Sequence, residues 1–318
     1  DSVYAHYTDK NTTKIDIDLE DYTPIGLKGD FLYMSETSGI GSHGLSVLNL
    51  KNKNVQSIIP DDCHSVLNAM TSLNNPIPYA AGMECDGKKE IIYFDQDNRD
   101  AQILSQLAPS FPDKTITLGN WTDANDRALL TIEDSSVVQE VFLLYLKQGA
   151  LKPIGRTSNV PKDRLHKMVS KKFTTRDGES IYGYLTMPKG KVERLIVYIH
   201  GGPYGIRDYD SYDFSEQYLA SKGAAILKVN YRGSGGYGTD FMEDAFKEWG
   251  GRLLNDIADA TKAVQKELSI GREQTCAFGA SYGGYAALAM AYKYSELYEC
   301  VAGGMGVYDM LILRDGTD

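Results

Sequence analysis

Thr275-Cys276-Ala277-Phe278-Gly279-Ala280-Ser281-Tyr282-Gly283-Gly284-Tyr285 is the stretch whose reading decides the fold. A strand-like run, Thr275 to Phe278, meets Gly279-Ala280-Ser281-Tyr282-Gly283, and a helix-forming run to Tyr294 follows at once. G-x-S-x-G between a strand and a helix describes a backbone turn so tight that the positions two residues either side of the serine must lack a bulky side chain. The turn lifts the hydroxyl clear of the sheet and aims the amide after the serine at the place where an oxyanion would form. The plain alternative is a glycine-rich turn with an incidental serine; the strand before and the helix after weigh against it.

Outward from this turn, residues 173–318 alternate strands and helices. Phe173 to Thr175 and Ser180 to Met187 read as a hairpin around Asp177-Gly178, and Leu195 to His200 and Ala224 to Asn230 as continuous apolar strands. Asp213 to Lys222 reads as a helix with Phe214, Tyr218 and Leu219 on one face, and Leu253 to Leu268 as an amphipathic helix. Glu299 to Gly303 begins another strand. Alternation of this kind predicts a mostly parallel sheet with helices on both faces. Ligands of such sheets sit where loops leave the strand ends. His200-Gly201-Gly202-Pro203 is one such loop, whose glycine pair lets the backbone bring a second N–H to a substrate oxygen. His200 itself precedes the serine, whereas this fold runs serine, acid, histidine, so a supporting role suits it better than that of general base. Gly233-Ser234-Gly235-Gly236-Tyr237-Gly238 matches G-x-G-x-x-G literally. A dinucleotide site also needs an acid about 20 residues on at a strand end, and that region, Leu253 to Asp259, is helical in pattern; a nicotinamide or flavin cofactor is rejected.

Residues 1–165 are β-rich. Strands are expected at Lys14 to Leu19, Phe31 to Ser35, Leu45 to Leu50, Glu90 to Phe94, Thr115 to Leu118, Ala128 to Ile132 and Val138 to Leu146, separated by polar turns. Leu48-Asn49-Leu50-Lys51 with Ile58 echoes Leu144-Tyr145-Leu146-Lys147 with Ile154 at an offset of 96, and Asp30 echoes Asp126. That offset would hold two units of propeller-blade size. A full propeller needs at least four blades and about three fit here, so a partial propeller is expected. Arg156 to Lys172, polar and with Pro161, reads as a linker in which His166 is a solvated residue.

With 318 residues, 42% hydrophobic and 24% charged, the chain is an ordinary globular protein, and two domains are expected, 1–165 and 166–318. A net charge of −10 without basic runs argues against a nucleic-acid partner. No apolar run approaches the roughly 18 residues of a membrane span. Cys63, Cys85, Cys276 and Cys300 lack metal-type spacing, so no metal is expected; Cys276 and Cys300 read as small buried apolar residues, and a Cys63–Cys85 pairing has little support. Asp1-Ser2-Val3-Tyr4 shows no signal peptide and starts abruptly in a strand. The chain therefore reads as cytoplasmic, or as periplasmic or secreted if a leader was removed.

Arg176-Asp177-Gly178 with Tyr182-Gly183-Tyr184-Leu185, His200-Gly201-Gly202-Pro203, Asn230-Tyr231-Arg232-Gly233-Ser234-Gly235-Gly236-Tyr237-Gly238, Glu248-Trp249-Gly250-Gly251 and Gly279-Ala280-Ser281-Tyr282-Gly283-Gly284-Tyr285 occur in that order. Together they resemble the peptidase domain of the prolyl oligopeptidase family of serine peptidases, its acylaminoacyl-peptidase-like branch most of all. The resemblance covers residues 166–318 and implies an α/β-hydrolase catalytic domain preceded by a β-propeller that restricts access to short peptides. It implies Ser281 as nucleophile, with the backbone N–H groups of Tyr282 and Gly202 as oxyanion donors; no cofactor is expected. The family's acid and histidine lie downstream of the elbow. Here no histidine follows His200, and Asp309 and Asp315 come too soon after Ser281. Propeller and hydrolase are thus both expected to be incomplete, and the 318 residues alone to be nearly inert. The rivals are a carboxylesterase-type hydrolase and a non-catalytic interaction module; oligomerisation stays open.

Overall fold

The structure is a computed structural model that describes residues 3–6, 12–15, 22–37, 42–59, 65–72, 75–85, 88–112, 114–134 and 137–311. The chain forms two compact units, 1–107 with 235–239, and 108–234 with 240–318. In the first, strands β1 (Val3–His6) and β2 (Thr12–Ile15) pair antiparallel. A four-stranded antiparallel meander follows: β3 (Tyr22–Lys28), β4 (Phe31–Thr37), β5 (Ser42–Asn49) and β6 (Val55–Ile59). A three-stranded one comes next, β7 (Ser65–Ser72), β8 (Asn75–Cys85) and β9 (Lys88–Tyr93), and then helix α1 (Arg99–Leu107). Leu45, Ile59, Val66, Ala81 and Met83 form the shared core of the two meanders.

The second unit opens with another four-stranded antiparallel meander, β10 (Thr115–Trp121), β11 (Arg127–Asp134), β12 (Val137–Tyr145) and β13 (Ala150–Arg156). Its internal geometry repeats that of β3–β6. Leu32 pairs with Leu48 and Leu48 with Val55; Ala128 pairs with Leu144 and Leu144 with Leu151. The Leu50 amide donates to the Asp30 carbonyl at 2.8 Å, and the Leu146 amide to the Asp126 carbonyl at 2.9 Å. The 96-residue echo is therefore one strand–turn–strand design used twice.

The six-stranded mixed sheet of this unit comprises β14 (Met168–Thr174), β15 (Ser180–Thr186), β16 (Arg194–Ile199), β17 (Ala224–Asn230), β18 (Thr275–Ala280) and β19 (Cys300–Gly304), in the order β14-β15-β17-β16-β18-β19. The first three strands in that order pair antiparallel, and β17, β16, β18 and β19 run parallel. Its helices are α2 (Phe214–Ser221), α3 (Thr239–Glu243), α4 (Arg252–Leu268) and α5 (Tyr282–Lys293). Leu253, Ile257, Ala260 and Val264 recur at helical spacing on α4 and pack with α5 on Val197, Leu227, Val229 and Ala277. On the opposite face α2 covers Lys228.

Three expectations are corrected here. The stretch 156–172 is not a solvated linker throughout: β14 begins inside it at Met168, and His166 is buried. The Gln217 amide explains why, because it accepts from the His166 N–H at 2.7 Å and donates to its carbonyl at 3.0 Å. Helix α2 is inverted relative to its apolar pattern: Phe214 and Tyr218 are exposed, while Glu216, Gln217 and Ala220 are buried. Glu216 faces Lys228 at 2.5 Å and also bonds Thr186, so a buried charge on β17 selects the polar side of the helix. Cys276 and Cys300 are not free buried thiols. They lie opposite each other on β18 and β19 and form a disulfide. The Cys63–Cys85 pairing lies outside the described residues. Among the described residues no helix is long and apolar enough to cross a membrane.

Candidate active site

Strand β18 ends at Ala280, and Ser281 turns the chain into α5 with φ 58° and ψ −126°. That conformation is strained for any residue with a Cβ, and Ser281 alone bears it in this turn because it is hemmed in by closely approaching backbone. A Cβ on Gly279 would stand 2.4 Å from the Gly283 carbonyl oxygen; one on Gly283 would stand 2.1 Å from that of Ile199. The glycine spacing in the motif therefore has a steric cause. The Ser281 N–H donates to the Gly304 carbonyl at 3.1 Å, and its own carbonyl accepts from Gly284 and Tyr285. The serine side chain is exposed. Tyr282 is the first residue of α5, where a helix offers its own N–H no carbonyl one turn earlier.

The loop after β16 lies directly against this turn. A Cβ on Gly201 would meet Ser281 Cβ at 3.4 Å and Oγ at 3.8 Å. Gly202 takes φ +116°, open to glycine and hardly to anything else. The two segments expected to supply oxyanion donors are thus brought together around one hydroxyl.

His200 stands behind the loop. Its Nδ1 faces the Gly201 carbonyl at 2.8 Å and the Tyr231 hydroxyl at 3.1 Å, and its Nε2 faces Ser234 Oγ at 3.0 Å. Both ring nitrogens thus have partners other than Ser281. Desolvation pushes its pKa down to about 4, the charge of Arg207 adds to the drop, and the Gly201 carbonyl opposes it. A neutral imidazole stacked on Tyr231, ring centroids 4.3 Å apart, is a brace for the loop. Tyr231 OH donates to the His200 carbonyl at 2.9 Å.

The remaining motifs explain themselves as supports. Tyr282 is fully buried; its hydroxyl donates to the Trp249 carbonyl at 3.0 Å and its ring packs on Trp249, Tyr231 and Tyr285. Trp249 Nε1 donates to Tyr204 OH at 3.0 Å, which ties the 248–251 segment to the loop after Gly202 as well. Arg232 is buried between Asp256 and Asp177, reaching each at 2.6 Å. Asp256, at about the distance from Gly233 where a ribose-binding acid would be sought, sits on α4 and faces Arg232. Asp309 is exposed and accepts from the Leu311 amide; Asp315 lies outside the described residues. Tyr231, Ser234 and Trp249 were not legible as supports, because each acts through partners 30 or more positions away in sequence.

Residues 210–318 match the prolyl oligopeptidase family model. Dipeptidyl aminopeptidase BIII of Pseudoxanthomonas mexicana is 37% identical over 126 residues, 36% of this chain and 18% of that protein. Dipeptidyl peptidase family member 6 of Caenorhabditis elegans is 26% identical over 229 residues, 72% of this chain and 27% of that protein. The solved acylaminoacyl peptidase of Pyrococcus horikoshii superposes with a TM-score of 0.67 at 19% identity, covering 98% of this chain and 48% of that one. This last likeness shows the fold. The chain spans under a third of the curated relatives it matches and about half of the solved structure.

Proposed function

From the prolyl oligopeptidase family segment carried by residues 210–318, we propose that this protein is a serine peptidase that hydrolyses short peptides through an acyl-enzyme on Ser281. The observation that carries the reading is the pairing of a strained, exposed Ser281 with Gly201 packed against its side chain. Ser281 Oγ adds to the scissile carbonyl carbon as its proton passes to a histidine imidazole. The N–H groups of Tyr282 and Gly202 hold the oxygen that gains charge. Collapse of the tetrahedral adduct breaks the C–N bond and returns the proton to the leaving amine; water then releases the acyl group by the same route.

In this proposal the acid and the histidine come from outside these 318 residues, in keeping with the roughly half length of the solved relative that the chain spans. We propose the domain boundary at 165/166, between the last antiparallel meander and the mixed sheet. The three meanders are blades of a partial propeller, a reading supported by the register repeated between β3–β6 and β10–β13. The Cys276–Cys300 disulfide favours an oxidising compartment, periplasmic or extracellular, over the cytoplasm.

The test is turnover by the full-length protein of an acyl-peptide anilide and a dipeptide anilide, beside a simple ester. Peptide cleavage that falls at least ~10⁴-fold in Ser281→Ala supports the proposal. Ester turnover with no peptide cleavage points to the carboxylesterase instead, and no turnover of either points to an interaction module.

A further inference from the structure

Residues 201–213 form neither helix nor strand, so the direction of the Gly202 N–H depends on what grips this loop from outside. Tyr231 and His200 hold its near end. Its far end is gripped by Asn230, the wholly buried last residue of β17. Asn230 Oδ1 accepts from the Asp208 N–H at 2.8 Å, and Nδ2 donates to the Asp208 carbonyl at 3.0 Å. Two bonds to both flanks of one residue imitate a ladder pair of a β-sheet and fix its position and its rotation together. Two residues before Asp208, the Ile206 side chain closes on Gly202: a Cβ there would meet Ile206 Cβ and Cγ1, each at 3.3 Å. The path from the buried amide to the oxyanion donor is thus Asn230, Asp208, Ile206, Gly202.

We propose that Asn230 is a positioning residue for the oxyanion hole, holding the far end of the loop so that the Gly202 N–H faces the carbonyl oxygen at Ser281. The inference rests on the reading of Ser281 as nucleophile. Asparagine suits the task because the grip needs one donor and one acceptor on a short stem. Aspartate keeps the acceptor and sets an oxygen against the Asp208 carbonyl; alanine keeps neither.

Asn230→Ala and Asn230→Asp in the full-length protein test it, each measured for kcat and KM on a cleaved peptide anilide. Both are also measured for binding of a peptide aldehyde, whose hemiacetal oxygen occupies the hole, and of the matching peptide alcohol, which forms no hemiacetal. Asn230→Ala is expected to lower kcat and aldehyde affinity ~10–100-fold, less than outright loss of a donor, with KM and alcohol affinity within about threefold. Asn230→Asp should fall between, and decides by the same ratio if the alanine variant does not fold. Wild-type kcat and aldehyde affinity in a folded variant would overturn the inference, as would equal losses for aldehyde and alcohol. A fluorophosphonate that leaves wild-type Ser281 unlabelled removes the nucleophile reading and this inference with it; labelling intact in wild type and unchanged in both variants removes this inference alone.

Discussion

Gly283 lies beneath the carbonyl oxygen of Ile199 so closely that a methyl group on its Cα would come within 2.1 Å of that oxygen. The contact joins the first turn of α5 to the end of β16, and with it the nucleophile turn to the loop that faces it. Gly283→Ala must push these two segments apart. It is expected to cost roughly 3 kcal/mol of stability and to abolish reactivity at Ser281. Denaturant unfolding and probe labelling of the folded fraction check it; an alanine variant with wild-type stability contradicts the packing.

The buried Lys228–Glu216 pair orients α2. Lys228→Met alone leaves an uncompensated carboxylate and is expected to destabilise by about 3–5 kcal/mol, whereas Lys228→Met with Glu216→Leu recovers most of the loss. Phe214→Ser and Tyr218→Ser, on the exposed side, should change stability by under about 0.5 kcal/mol. Urea midpoints of the four variants decide; a large loss from Phe214→Ser would place the apolar side of α2 inward after all.

Asp208 and His200 give opposite pH slopes in one window. Desolvation first, with the charge of Asp213, raises the Asp208 carboxyl to about 6 against the pull of Lys228 and Arg207. Its unfolded value is about 3.9, so the folded state binds the extra proton and this contribution to stability is lost as pH rises toward 6. His200, held near 4 against about 6.5 unfolded, contributes stability that is present above pH 6.5 and lost as pH falls toward 4. Asp208→Asn should therefore steepen the acid-side loss between about pH 4 and 6, and His200→Gln should reverse the slope. Urea titrations across this range check both, and parallel profiles for wild type and the two variants contradict the assignments.

The Cys276–Cys300 disulfide closes 24 residues that contain the whole nucleophile turn. On loop-entropy grounds, Cys276→Ala with Cys300→Ala is expected to lower stability by about 3 kcal/mol. Mass mapping of the unreduced protein gives the independent check: the two cysteines on one linked peptide pair support it, and free thiols at both positions contradict it.

Much of the second unit was legible because its determinants are local. The G-x-S-x-G turn needs glycines at fixed offsets, and Leu195–Ile199 and Ala224–Asn230 are apolar at strand length. The 96-residue echo was legible for a related reason, since Leu48 and Leu144 hold the same register position. What escaped depends on partners far along the chain. Strand β8 carries Pro76, Pro78 and Gly82, which read as breakers, yet it is the central strand of its meander. Phe214 and Tyr218 suggested a buried face until Lys228, across the layer, reversed the helix. His166 looked like a linker residue because Gln217, which pins it, is 51 positions away. The Asn230 grip on Asp208 left no periodic trace at all. Short-range sterics write themselves into sequence; tethers between loops do not.

The most direct test is to treat the full-length protein with a fluorophosphonate and map the adduct by peptide mass spectrometry. A single adduct on the peptide bearing Ser281, absent in Ser281→Ala, is the predicted result. An adduct on another residue, or none on a protein that cleaves peptides, would contradict it.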